Sequence, residues 1–203
     1  MRLRVNQLAV LLIDAQPGFL LDFGGVQLPA AVEYRWEKLL LICRHLELPT
    51  LATFEEPDSN GWLSERCERV WPDQGKRFVK ETFDCCAQPD IRSALAATGR
   101  KQLLVAGTET DVCILQSVLS LLEQAFEVFL LEDCVASTEP HTRPALERMY
   151  RAGAVPCTLK SVYYELMQTA APAYRPNDAS GRWRALIEAF GKPEELPPWD
   201  PSR

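Results

Sequence analysis

Histidine is nearly absent from this chain of 203 residues: His45 and His141 are the only two. A mechanism built on imidazole has little material here. No apolar run approaches the roughly 20 residues that span a bilayer, so no membrane partner is expected. The N-terminal Met-Arg-Leu-Arg-Val-Asn-Gln lacks the apolar stretch and small-residue cleavage site of a signal peptide. A cytoplasmic protein is the expectation. Positive charge is in deficit: 22 Lys and Arg stand against 28 Asp and Glu, a net charge of −6. That balance argues against a general binder of nucleic acid or of anionic membranes. The cysteines, seven in number, are odd in count and contain no Cys-x-x-Cys. Zinc ribbons and disulfide frameworks are therefore not expected. Internal repeats and low-complexity tracts are missing too.

What is present is globular. Hydrophobic residues make up 47% and charged residues 25%, enough for a core without staples. Gln7-Leu-Ala-Val-Leu-Leu-Ile-Asp14 is an unbroken apolar run ending in an acid, the pattern of a strand buried on both faces. Residues 30–46 carry Val32, Trp36, Leu39, Leu40 and Cys43 at helical spacing. Further strands are predicted at Leu48–Phe54, Arg77–Lys80, Gln102–Gly107, Glu127–Glu132 and Ala154–Cys157. Helices are predicted at Pro89–Thr98, Asp111–Ala125, 140–152 and 160–170. Alternating strands and helices predict β-α-β units and a mostly parallel sheet of roughly six strands, in a Rossmann-like three-layer α/β/α arrangement. Residues 1–171 form this domain. Six of the fifteen prolines fall in 172–203, which reads as an extension packed on the domain or on a neighbouring subunit.

Parallel sheets place their chemistry beyond the carboxyl ends of the strands. Asp14 closes the first strand and is either a turn cap or a site carboxylate. Lys80 closes the third, either as a solvated lysine or as a site cation. Cys113 follows Gly107-Thr-Glu-Thr-Asp-Val at the predicted start of a helix. Unpaired backbone N–H groups and the helix dipole there favour thiolate, the nucleophilic form; the alternative is a buried helix-face cysteine. Together the three make a chemically sensible set. The carboxylate takes the thiol proton, and the ammonium supports both anions.

Three motifs in order resemble the isochorismatase-like cysteine hydrolases, a superfamily that includes nicotinamidases and N-carbamoylsarcosine amidase. They are Leu11-Leu-Ile-Asp-Ala-Gln-Pro-Gly-Phe19, Val79-Lys-Glu-Thr-Phe83 and Val105-Ala-Gly-Thr-Glu-Thr-Asp-Val-Cys-Ile114, followed by the stretch 121–137. The resemblance spans about residues 7–168 and implies an Asp14–Lys80–Cys113 triad. It implies a cis peptide bond between Thr108 and Glu109, which would align the Glu109 and Cys113 N–H groups as an oxyanion hole. The implied reaction is attack of Cys113 on a small amide or ureido carbonyl, followed by hydrolysis of the thioester, with no cofactor. Relatives are commonly oligomers, so a homo-oligomer (dimer or tetramer) is expected.

Departures narrow the branch. Nicotinamidases carry an Asp-x-His…His metal site after the second strand, whereas Thr53–Trp62 holds three acids and no histidine. A solvated acidic loop without metal is expected there. Siderophore-pathway isochorismatases lack the cysteine, so Cys113 argues against that activity. The Gly-Thr-Glu-Thr-Asp-Val-Cys form is most similar to the isochorismatase-domain-containing branch. Gln16, Phe19, Phe83 and Trp62 are expected to line the substrate pocket. Cys85 and Cys86 are expected to be two free thiols, and His141 to pack or cap. Two other readings remain: a catalytically idle scaffold, and a thiol redox protein.

Overall fold

The computed structural model describes residues 1–20 and 30–167. The predicted extension 172–203, and the end of the last predicted helix beyond Met167, lie outside the described residues. Six strands, β1 (Leu8–Ile13), β2 (Thr50–Glu55), β3 (Lys76–Lys80), β4 (Gln102–Thr108), β5 (Glu127–Ala136) and β6 (Val155–Cys157), form one sheet in the order β3-β2-β1-β4-β5-β6. Every pairing is parallel. The helices are α1 (Ala30–Leu46), α2 (Pro57–Asn60), α3 (Glu65–Glu68), α4 (Pro89–Ala97), α5 (Leu115–Glu123), α6 (Arg143–Ala152) and α7 (Leu159–Met167). Among the described residues no helix is long and apolar enough to cross a membrane.

The period of two along each strand divides the core. Leu8, Val10 and Leu12 pack with Trp36, Leu39 and Leu40 of α1 and Val162 of α7. Ala9, Leu11 and Ile13 face the other way, toward Ile91 of α4, Val118 and Leu121 of α5 and Met149 of α6. All six residues of β1 are buried, which is why this strand reads as an unbroken apolar run rather than an alternation. The three-layer α/β/α architecture is the one expected.

Trp36 joins one layer to the sheet: its indole N–H donates to the Cys134 carbonyl at 2.8 Å in the buried interior. Trp36→Phe keeps most of the apolar surface but strands that carbonyl. The expected loss is about 1–2 kcal/mol, seen as a drop of several degrees in thermal melting.

Two local features depart from the sequence-based expectation. The helix predicted over 111–125 begins instead as a wide five-residue turn, Thr110–Ile114, before α5. The Ile114 N–H reaches back five residues to the Glu109 carbonyl at 3.0 Å, a π-type bond that accommodates one more residue than an α-turn. The acidic loop after β2 folds into the short helices α2 and α3. Pro57 opens the first, and the Ser64 side chain caps the second by accepting from the Cys67 N–H.

Candidate active site

Four side chains converge at the carboxyl edge of the sheet. Asp14 follows β1 with a left-handed backbone (φ 47), a conformation that Asp tolerates better than most residues. Its N–H donates to the Thr53 carbonyl at 3.1 Å and its carbonyl accepts from the Gln16 N–H at 2.8 Å. The Thr108 hydroxyl also donates to that carbonyl. Beside it β4 comes so close that a Cβ at Gly107 (φ 128) would fall inside the Ile13 carbonyl, so only glycine fits. Lys80 is the last residue of β3 and pairs in register with Glu55, the last residue of β2. Cys113 is delivered by the wide turn after β4.

Lys80 Nζ lies 2.7 Å from Asp14 Oδ2, 3.0 Å from Glu55 Oε2 and 3.5 Å from Cys113 Sγ. Three acceptors thus surround an ammonium with three donors. Asp14 Oδ1 accepts from the Thr53 hydroxyl at 2.9 Å. Asp14 Oδ2 is engaged by its close ion pair with Lys80. Cys113 Sγ sits 3.4 Å from Glu55 Oε2. The side chains of Asp14 and Lys80 are fully buried, while 26% of the Glu55 side chain is open to solvent.

Burial governs the proton affinities. It lifts the Asp14 carboxyl above its usual range, against the opposing pull of the Lys80 ammonium. Burial is the largest single influence on Lys80 and would lower it, but the Asp14 charge and hydrogen bond, with Cys113 and Glu55, together hold the ammonium above its ordinary value. Burial, then the Asp14 charge, pushes the Cys113 thiol up. This corrects the expectation of a resting thiolate. The sulfur is shut away from solvent among two carboxylates, and that outweighs the start of a helix. Burial also lifts Cys43, Cys67 and Cys157 to about 12. Cys113 is distinguished from them by its neighbours rather than by acidity.

The Thr108–Glu109 bond is trans, where a cis bond was expected. The segment instead closes through the Glu109 carbonyl, which accepts from the Val112 and Ile114 N–H groups. The Glu109 carboxylate takes hydrogen bonds from the Ser137 hydroxyl and from the Thr138 N–H and hydroxyl. The Gln16 amide is engaged by the loop after β2. It is fully buried, its Nε2 donates to the Glu55 and Gly61 carbonyls, and its Oε1 accepts from the Glu55 N–H.

Glu55 was expected among the solvated acids of its loop, and the structure turns it into the site. Thr53, also at this strand end, holds Asp14. Trp62 packs against Phe54 with the rings tilted, their centres 4.9 Å apart, and is 45% exposed. Phe83 is 52% exposed. Phe19 is half-buried in a single turn after β1. The His141 N–H donates to the Glu139 carboxylate on the surface. All seven cysteines are free, and Cys85 and Cys86 lie sulfur to sulfur at 4.0 Å.

Asp14, Glu55 and Cys113 bring one donor atom each to within 4.8 Å of one another. The Lys80 ammonium already fills the space among them, doing there what a cation would do.

Residues 8–161 match the isochorismatase domain family. The probable hydrolase YcaC of Escherichia coli is 32% identical over 167 residues, covering 81% of this chain and 80% of that protein. The solved structure of YcaC from Pseudomonas aeruginosa, with hexane-2,5-diol and covalent acrylamide, superimposes with a TM-score of 0.76 at 31% identity, over 94% of this chain and 97% of that one. The E. coli YcaC structure, described as an octameric hydrolase of unknown specificity, gives 0.77 at 28% identity, over 95% and 97%.

Proposed function

Because this chain belongs to the isochorismatase family, we propose that it is a cysteine hydrolase that cleaves the C–N bond of a small amide or ureido compound without a metal. The observation that carries this reading is the Asp14–Lys80–Cys113 cluster, with Lys80 Nζ at 2.7 Å from the carboxylate and 3.5 Å from the sulfur.

Cys113 Sγ attacks the carbonyl carbon, and its proton passes to the Asp14 carboxylate, an oxygen of which lies within 4.8 Å of the sulfur. Burial gives that carboxyl the raised proton affinity a base needs against a buried thiol. Lys80 stays charged through the step and stabilises the anion formed beside it. As the tetrahedral intermediate collapses the C–N bond breaks, and Asp14 returns the proton to the departing nitrogen. Water, deprotonated by the same carboxylate, then attacks the thioester; the acid leaves and the thiol regains its proton. The Cys113 and Glu109 N–H groups are the oxyanion donors of this proposal.

Phe19, Trp62 and Phe83 are proposed as the pocket walls. They sit in the segments that follow β1, β2 and β3, at the same sheet edge as the triad. The covalent acrylamide of the P. aeruginosa relative supports a reactive nucleophile in this fold. The octamer of the E. coli relative supports a homo-oligomer. A thiol redox role is less favoured: Cys113 lies among Lys80, Glu55 and Asp14, and the sulfurs in contact with each other are Cys85 and Cys86.

The test is ammonia release from a panel of small amides, ureides and carbamoyl compounds, with and without a chelator. Turnover unaffected by chelation is the expected result. Silence across the panel, or loss of turnover on chelation, overturns the proposal.

A further inference from the structure

Glu55 has no part in the proton transfers above, yet the fold spends many contacts on it. Its N–H donates to Gln16 Oε1 at 2.8 Å, and its carbonyl accepts from Gln16 Nε2 at 3.0 Å and Asn60 Nδ2 at 2.9 Å. Two side-chain amides thus clamp one residue's backbone. The next residue, Glu56, takes a left-handed conformation (φ 43), and its carbonyl accepts from the Ser59 and Asn60 N–H groups at 2.9 Å. The loop is packed down on the turn after β1, where a Cβ at Gly18 would lie 2.7 Å from Asn60 Cα. A merely solvated acid needs none of this.

The clamp leaves one carboxylate at the site partly open to solvent. Asp14 and Lys80 are fully buried, and 26% of the Glu55 side chain is exposed. Its Oε2 stands 3.4 Å from the sulfur, so a molecule whose carbonyl reaches Cys113 meets Glu55 on the way. With a neutral thiol, the groups here carry two negative charges and one positive, a net of one negative. A substrate carboxylate beside the scissile bond would be repelled. An N–H group would find an acceptor.

We infer that Glu55 is the specificity-determining residue of this site, selecting uncharged, N–H-bearing amides or ureides and rejecting anionic ones. The inference rests on the hydrolase reading for its substrate class. Its test does not need turnover.

The probes are iodoacetamide and iodoacetate, equal in shape, one an uncharged primary amide and the other an anion. Each forms a C–S bond at Cys113 and releases iodide, and the thiol proton passes to a site carboxylate. Rates are read at Cys113 by peptide mass, which separates it from the other six thiols, and the amide-to-acid ratio is divided by that of free cysteine. For the wild-type chain this ratio should exceed one by about tenfold or more, since one like charge at contact distance costs on the order of a factor of ten. Glu55→Gln should bring it to near one, and Glu55→Asp, which keeps the charge, should retain it. A wild-type ratio near one overturns the inference without any variant, so a Glu55→Gln chain that fails to fold does not shield it. A ratio unchanged in folded Glu55→Gln also overturns it. A selective thiol in a chain that hydrolyses nothing sinks the hydrolase reading alone; hydrolysis without this selectivity sinks the role of Glu55 alone.

Discussion

Lys80→Met should cost about 3–5 kcal/mol of stability at neutral pH, the usual consequence of removing one partner from a buried ion pair. Methionine nearly matches the lysine stem in length, so packing changes little and the effect is electrostatic. Without the ammonium, Asp14 and Glu55 face each other with donor atoms within 4.8 Å, one of them fully buried. The deficit should depend on pH with a definite sign. Burial already raises the Asp14 carboxyl above its ordinary value, and loss of Lys80 removes the main opposing influence, so it rises further. A carboxyl whose folded pKa exceeds its unfolded one holds a proton that the unfolded chain has released. The native state then binds more protons, and stability falls as pH rises from the unfolded pKa through the folded one. The variant should therefore recover as the solution is made acid and be weakest above the folded Asp14 value. The wild-type Lys80 contribution behaves oppositely in position: its pKa is raised, so its stabilisation is complete below the ordinary lysine value and lost only in alkali. Denaturant melts across the pH range check both. A variant as stable as wild type at neutral pH, or a deficit that deepens in acid, would show that Lys80 does not neutralise these carboxylates.

The three positions that the structure brings together at the sheet edge are legible because each follows a rule of parallel sheets. Asp14 and Lys80 end strands, and Cys113 sits beyond the end of another. Glu55 obeys the same rule and was missed by one residue. The strand reading stopped at Phe54, while the pairing of Glu55 with Lys80 extends β2 by one position. Strand ends are where sequence patterns are weakest, since the apolar signal stops before the hydrogen bonds do. Gln16 was misread for a different reason. An amide two residues from a site acid looks available, and only the folded loop shows it consumed by the Glu55 backbone. The thiol's acidity could not be read from helix position, because burial and neighbouring charges decide it and neither is local in sequence. The parallel six-stranded sheet, by contrast, follows from the alternation of buried strands and amphipathic helices, while its order is shown only by the folded chain.

Cys113→Ala should lower turnover by at least about 10³-fold, as removal of a covalent nucleophile does elsewhere, and should leave the fold nearly untouched. The stability side follows from the resting state. Burial keeps Cys113 a neutral thiol, so truncation strands no charge. Lys80 retains its two carboxylate partners and loses only a long contact to sulfur at 3.5 Å. A change within about 1 kcal/mol is expected, unlike the Lys80 variant. This split between large loss of rate and small loss of stability separates the readings of the chain. A scaffold that borrows the fold without the chemistry would show neither turnover nor a phenotype from Cys113→Ala. A redox protein would show, under mild oxidant, a disulfide involving Cys113. A cysteine hydrolase with a neutral resting thiol makes a further demand: Cys113 must give up its proton to Asp14 as its sulfur attacks the bound substrate. Asp14→Asn keeps the shape and the Thr53 contact but cannot accept that proton, and should be about as inactive as Cys113→Ala despite an intact nucleophile. Steady-state rates and melting curves of the two variants decide the point. An Asp14→Asn chain that retained wild-type turnover would move the base to Glu55, the other carboxylate beside the sulfur.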